Sequence, residues 1–273
     1  MDQEYEVPAK AERIVITGAM EAMEDALLLD VHPVGAISVG GKFPEQFASI
    51  TGESQSIGEK TEPNFETILS LKPDVILGTT KFPAETVEQL QKIGTFIQVS
   101  HIAANWEANL ELMGELTGKE DQAKQIIADY KKHAEEAKVE LGEKLKDKKI
   151  ISIRIRRGGA YIYPETVFLN GVLYGDLGFT APDQIKAVKA QEEITPEQLA
   201  ELNPDYIFVQ ASTAEDEGNQ KVLEEWKSNP IVSKVNAIKE NHIFENVIEP
   251  LSEGGPAWSR TNFIDKAVDL LSK

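Results

Sequence analysis

Short apolar runs rich in β-branched residues alternate along this chain with stretches whose apolar positions recur every three or four residues. The first pattern predicts strands and the second amphipathic helices, and their alternation favours parallel sheets covered by helices. In the first half, 13–17, 33–39, 56–58, 74–77 and 96–99 read as strands, and 20–29, 85–93 and 104–116 as helices. In the second half, 149–156, 206–210 and 242–244 read as strands, and 170–177, 222–226 and 262–271 as helices. Residues 212–218 are acidic and loop-like.

Between the halves, from Lys119 to about Lys146, lies the longest uninterrupted helical pattern. Ile126, Ile127, Tyr130, Ala134, Ala137, Leu141 and Leu145 share one face, Lys and Glu occupy the other, and only Gly142 weakens it. Such a helix would be about 42 Å long at 1.5 Å per residue. One narrow apolar stripe suits a stiff strut between two lobes; an ordinary packed helix inside one domain is the alternative. The expected fold class is therefore α/β, with two Rossmann-like lobes built on central parallel sheets and joined by one long linking helix. The expected boundaries are 1–118, 119–147 and 148–273.

One phrase occurs twice. Residues 64–76 read NFETILSLKPDVI and 195–207 read TPEQLAELNPDYI. In each, a Glu (Glu66, Glu197) precedes a Pro-Asp pair (Pro73-Asp74, Pro204-Asp205) by seven residues. The pattern is a short amphipathic helix, stopped by Pro, that feeds a buried strand. Two copies imply two similar lobes, which normally face each other across a cleft, an arrangement suited to binding a ligand.

A chain of 273 residues, 41% hydrophobic and 27% charged, can build two cores of ordinary size. Its net charge of −18 argues against nucleic acid or an anionic membrane as partner, since both would be repelled. An anionic ligand would need a local basic cluster. No apolar run approaches the length of a transmembrane helix, and no signal-peptide pattern opens the chain. Met1-Asp2-Gln3-Glu4 reads as the start of an expressed fragment or of a trimmed mature protein, and the sequence leaves open whether a signal peptide preceded it. Cysteine is absent, which removes disulfides, thiolate metal sites and a Cys nucleophile.

In open α/β sheets ligands bind beyond the carboxyl ends of the strands. Lys60 and Lys81 follow two predicted strands, and Lys189 and Gln191 precede the second repeat helix. Arg154 and Arg156 share one face of a strand whose Ile153 and Ile155 point the other way, with Arg157 at the following turn. Burying a guanidinium without a partner costs several kcal/mol, on the order of a broken buried ion pair. These cations therefore either line an anion site or pair with neighbouring carboxylates; Arg157 reads as a solvated turn residue. Glu66 and Glu197 sit in the first turns of their helices, where the helix dipole favours a carboxylate. Their matched positions also suit two acidic knobs for a two-fold partner. No dinucleotide fingerprint, P-loop or nucleophile elbow is present, and His32, His101, His133 and His242 are scattered without metal-ligand spacing. No catalytic or metal-ligating residue is nominated.

The two-lobe plan, the long linking helix and the phrase NFETILSLKPDVI resemble the class III substrate-binding proteins of bacterial ABC importers, which take up siderophores, haem or vitamin B12. The runs ERIVITGAMEAMEDALLLDVHPVGAIS, IGEKTEPNFETILSLKPDVIL, IRIR and VKAQEEIT carry a closer likeness to members that bind catecholate siderophores of the bacillibactin and enterobactin type. The resemblance implies that Lys60, Lys81, Arg154, Arg156, Lys189 and Gln191 line a siderophore pocket, with Arg157 as a secondary contact. It implies that Glu66 and Glu197 dock onto an ABC permease dimer. It further implies a monomeric lipoprotein on the extracellular face of the cell membrane (otherwise a periplasmic protein), with no intrinsic cofactor and no membrane insertion of this chain. Rival readings are the same scaffold carrying a hydroxamate siderophore, haem or a corrinoid, for which Tyr161, Tyr163 or His101 could serve as axial ligand, and a two-lobed Rossmann-like enzyme.

Overall fold

A computed structural model describes residues 5–214 and 216–273. The opening tetrapeptide, and with it the reading of a trimmed start, lies outside the described residues, as does Glu215 of the acidic loop. The chain divides into two compact units. One runs to Asp129 and includes Pro256–Trp258; the other comprises Tyr130–Gly255 and Ser259–Lys273.

The first unit contains β1 (Ile14–Thr17), α1 (Met20–Leu28), β2 (Gly35–Ser38), α2 (Ala48–Thr51), β3 (Gln55–Glu59) and β4 (Glu62–Pro63). It continues with α3 (Phe65–Ser70), β5 (Val75–Thr79), α4 (Ala84–Ile93), β6 (Phe96–Val99) and α5 (Trp106–Thr117). Its six strands run in the order β4-β3-β2-β1-β5-β6, all parallel except the short β4. β1, β2 and β5 are buried at every position, which is why they read as continuous apolar runs rather than alternating ones. The helix α6 (Glu120–Leu145) starts in this unit and ends in the other. Its predicted stripe is buried from Ile127 through Leu145, with Ile126 half-buried.

The second unit contains β7 (Ile150–Arg156), β8 (Gly159–Ile162), a π-helical turn (Gly171–Asp176), α7 (Asp183–Ala187), β9 (Glu192–Glu193) and α8 (Pro196–Leu202). It closes with β10 (Tyr206–Ala211), α9 (Asn219–Ser228), α10 (Asn236–Lys239), β11 (Ile243–Glu245) and α11 (Ala257–Leu271), whose first two residues belong to the first unit. The strand order is β11-β10-β7-β8-β9. The three strands from β11 to β7 are parallel, but β8 and β9 are antiparallel. The centre of the sheet is parallel, as the alternation of strands and helices favours, and β8 and β9 add antiparallel pairing at one edge. Arg157 and Gly158 have φ of 49° and 81°, so two residues with positive φ close a tight β7–β8 hairpin.

The repeated phrase has a structural reason in both units. Asn64 caps α3 by accepting the Thr67 N–H at 3.0 Å, and Thr195 with Gln198 forms a reciprocal capping box on α8. Each helix then hands over to a strand through a Pro-Asp whose carboxylate holds the entry of the central strand. Asp74 accepts the backbone N–H groups of Glu12 and Arg13, both at 2.9 Å, beside β1. Asp205 accepts that of Lys149 at 3.0 Å, beside β7. The backbone N–H groups of Asp74 and Asp205 return the bond to the carbonyls of Arg13 and Lys149. The motif is therefore a register lock between a strand and its parallel neighbour.

Candidate functional site

In the first unit β1 lies between β2 and β5, so the strand order reverses there and the carboxyl ends of these strands form the natural binding edge. Lys81 is exposed directly beyond β5. Its neighbour Phe82 packs against Gly18, where a Cβ would lie 2.3 Å from the ring, so the loops after β1 and β5 close on each other only with glycine there. Thr80 Oγ1 bonds His101 Nδ1 at 2.7 Å and also accepts the His101 N–H at 3.3 Å, which ties the loop after β6 to the same edge. Lys60 is half-buried at the turn between β3 and β4. That hairpin is pinned by Glu59, whose carboxylate accepts from Ser38 Oγ at 2.9 Å and from the backbone of Gly40 and Gly41 at 3.1 and 2.8 Å. Both lysines thus stand at the carboxyl edge of one sheet.

In the second unit Arg154 and Arg156 project from one face of β7, with Ile153 and Ile155 fully buried on the other. Arg154 is only 5% exposed. Its guanidinium lies over the Phe168 ring at 5.7 Å, and its Nη1 faces Glu253 Oε2 at 4.0 Å. Tyr163 tilts against the same Phe168, ring centroids 5.4 Å apart, and donates its hydroxyl to Gln191 Oε1 at 3.1 Å. Burial pushes the Tyr163 phenol up, partly offset by the charges of Arg154 and Arg156 and by a hydrogen bond with Arg156. Arg154, Arg156, Tyr163 and Gln191 therefore form one cationic, donor-rich cluster floored by an aromatic ring. Lys189 is exposed at its margin, with its backbone N–H directed to Glu192 Oε1 at 3.4 Å, and Arg157 is exposed in the hairpin turn.

The sequence left open whether the arginines pair with carboxylates. Glu253 stands beside Arg154, and a hydrogen bond joins Arg156 to the Tyr163 phenol. Phe168 and Glu253 were not foreseen. The Gly-Gly-Pro that follows Glu253 marks a turn, but no local pattern ties that turn to β7. Glu66 and Glu197 are both exposed in the first turns of α3 and α8. Among the described residues, no group of three or more His, Asp or Glu could hold a metal ion, and no helix is long and apolar enough to cross a membrane.

The periplasmic binding protein family matches residues 23–246. The chain is 50% identical over 273 residues to the iron-uptake system-binding protein of Bacillus subtilis (strain 168), covering 100% of this chain and 86% of that protein. The crystal structure of FeuA, the triscatecholate siderophore binding protein of Bacillus subtilis, complexed with ferri-bacillibactin matches at a TM-score of 0.94 and 50% identity, over 100% of this chain and 96% of that one. Staphylococcus aureus SirA complexed with staphyloferrin B matches at a TM-score of 0.81 and 25% identity, over 98% and 95% of the two chains.

Proposed function

The chain belongs to the periplasmic binding protein family, and from that premise we propose that it captures a ferric catecholate siderophore and delivers it to an ABC permease. The observation that carries this reading is the Arg154–Arg156–Tyr163–Gln191 cluster, assembled at the end of β7 in a chain of net charge −18. A ferric tris-catecholate is a trianion with three flat aromatic faces. Guanidinium and ammonium groups give charge-assisted hydrogen bonds to catecholate oxygens and stack on the rings. The siderophore already fills the iron's coordination sphere, so the protein supplies charge and donors rather than a metal ligand.

In this reading Lys60, Lys81, Arg154, Arg156, Lys189 and Gln191 are the siderophore-binding residues. Residues 1–118 and 148–273 serve as binding lobes and 119–147 as the linking helix. Glu66 and Glu197 engage the permease dimer. The receptor works as a monomeric lipoprotein at the outer face of the membrane and is not an enzyme. The 50% identity to a receptor solved with ferri-bacillibactin supports catecholate cargo over a neutral hydroxamate complex or haem.

Titrating ferric bacillibactin is expected to quench tryptophan fluorescence with a submicromolar midpoint, that is, at or beyond about −8.2 kcal/mol. Ferric hydroxamates and haem should bind far more weakly. Joint replacement of Arg154 and Arg156 by Ala should raise the Kd at least tenfold, or about 1.4 kcal/mol. Unchanged affinity in a variant with a native circular dichroism spectrum would overturn the assignment.

A further inference from the structure

Glu253 is a carboxylate held inside a site otherwise made for anions. Its side chain is 18% exposed and stands 4.0 Å from Arg154 Nη1, and its charge also acts on Tyr163. Its position is built in from both sides. Gln210, the β10 residue in register with Arg154, is 2% exposed. Its Nε2 donates to the carbonyls of Glu249, Pro250 and Ser252 at 3.0, 2.7 and 3.1 Å, clamping the segment that leads to Glu253. On the far side Gly254, at φ 77°, donates its N–H to Ser259 Oγ at 3.1 Å. A Cβ on Gly254 would lie 2.8 Å from the Phe168 ring, the same ring that floors Arg154. The sheet position that pairs with Arg154 thus also anchors the loop that brings a negative charge to it.

We propose that Glu253 is a specificity-determining residue, a fixed counter-charge that lowers the net charge of the Arg154–Arg156 cluster and so sets how strongly it favours highly anionic ligands. With Glu253 ionised, the three side chains sum to one positive charge; with a neutral amide there, they sum to two. A trianionic chelate feels that difference in full, whereas a neutral chelate of similar size does not. Glu253 therefore limits affinity for the most highly charged ligands and keeps bound cargo releasable. This inference rests on the siderophore-receptor reading above.

The test compares the full chain with Glu253→Gln, which keeps shape and the Gln210 clamp, and Glu253→Asp, which keeps the charge. Equilibrium binding is measured for ferric enterobactin, a trianion, and ferrichrome, a neutral ferric hydroxamate. E253Q should lower the Kd for the trianion about tenfold at low ionic strength, the worth of one partly screened charge, and this gain should shrink as salt is added. E253D should bind like the parent chain, and neither variant should gain affinity for the hydroxamate. Unchanged or weaker trianion binding by E253Q overturns the proposal, and so does an equal gain in E253D, which would assign the effect to a loosened loop. Failure of the parent chain to bind any ferric catecholate overturns the receptor reading itself; parent binding with no gain in E253Q overturns only the role of Glu253.

Discussion

Ala257, the first residue of α11, donates its backbone N–H to the carboxyl of Asp25, which is 1% exposed on α1. Burial, together with the charges of Glu24 and Glu21, pushes the Asp25 carboxyl well above its usual range, and the Ala257 bond only partly opposes this. A folded-state pKa above the unfolded value near 3.9 means that the native state holds the proton more tightly. Its contribution to stability is full below the unfolded value and is lost as pH rises through the folded value. Asp25→Asn preserves an acceptor for Ala257 and removes that titration. The melting temperature of the variant should fall less between acidic and neutral pH than that of the parent chain; parallel curves would show that Asp25 does not titrate as stated. At this scale the sequence revealed the cations but not their partners. Arg154 and Arg156 were legible because two guanidiniums interrupt an apolar strand, whereas Glu253 and Phe168 lie far along the chain and meet Arg154 only in the folded unit.

Elements were most legible where a single local rule sufficed. The two Pro-Asp phrases predicted helix, stop and buried strand, and the capped helices α3 and α8 with β5 and β10 follow that order. The edges β8 and β9 escaped because they are short, and β8 folds back on β7 through positive φ at Arg157 and Gly158 rather than through apolar period. The helical stretch expected over 170–177 takes the form of a π-helical turn at Gly171–Asp176, with the Leu177 N–H reaching the Val172 carbonyl at 2.8 Å, and the buried Asn170 before it donates its side-chain amide to the carbonyls of Tyr163 and Pro164. Gly58 gives a sharp test of the hairpin that carries Lys60. Its φ is 101°, and a Cβ would lie 2.3 Å from the Glu62 carbonyl oxygen. Gly58→Ala should cost about 1–3 kcal/mol in urea unfolding. Gly41→Ala, also at positive φ but facing open space, should cost less. Equal effects would show that the backbone collision at Gly58 is relieved without strain.

For the whole molecule, a charge of −18 opposes any anionic ligand at long range, so binding has to rely on local donors within the two units. The same acidity suits docking to basic sockets through exposed glutamates. Glu66 and Glu197 occupy equivalent positions in the two copies of the helix–strand motif, one per unit. Reversing both to Arg should leave siderophore affinity within about twofold, because surface substitutions away from a site change energies by only about 0.5 kcal/mol. Uptake of labelled ferric siderophore by cells carrying the cognate permease should be abolished. Uptake at the parental rate would refute the docking role.

By itself the sequence determined that the chain is α/β, that a helix–Pro-Asp–strand unit is used twice, that a long helix lies between the halves, and that basic residues gather at strand ends. These properties follow from apolar period, proline stops and residue chemistry, all of which act within a few residues. Tertiary structure alone decided which strands pair antiparallel, which aromatic ring lies under Arg154, and that Glu253 is brought against it. Those outcomes depend on contacts between segments distant along the chain, where burial and hydrogen bonding are settled by the neighbours that folding supplies.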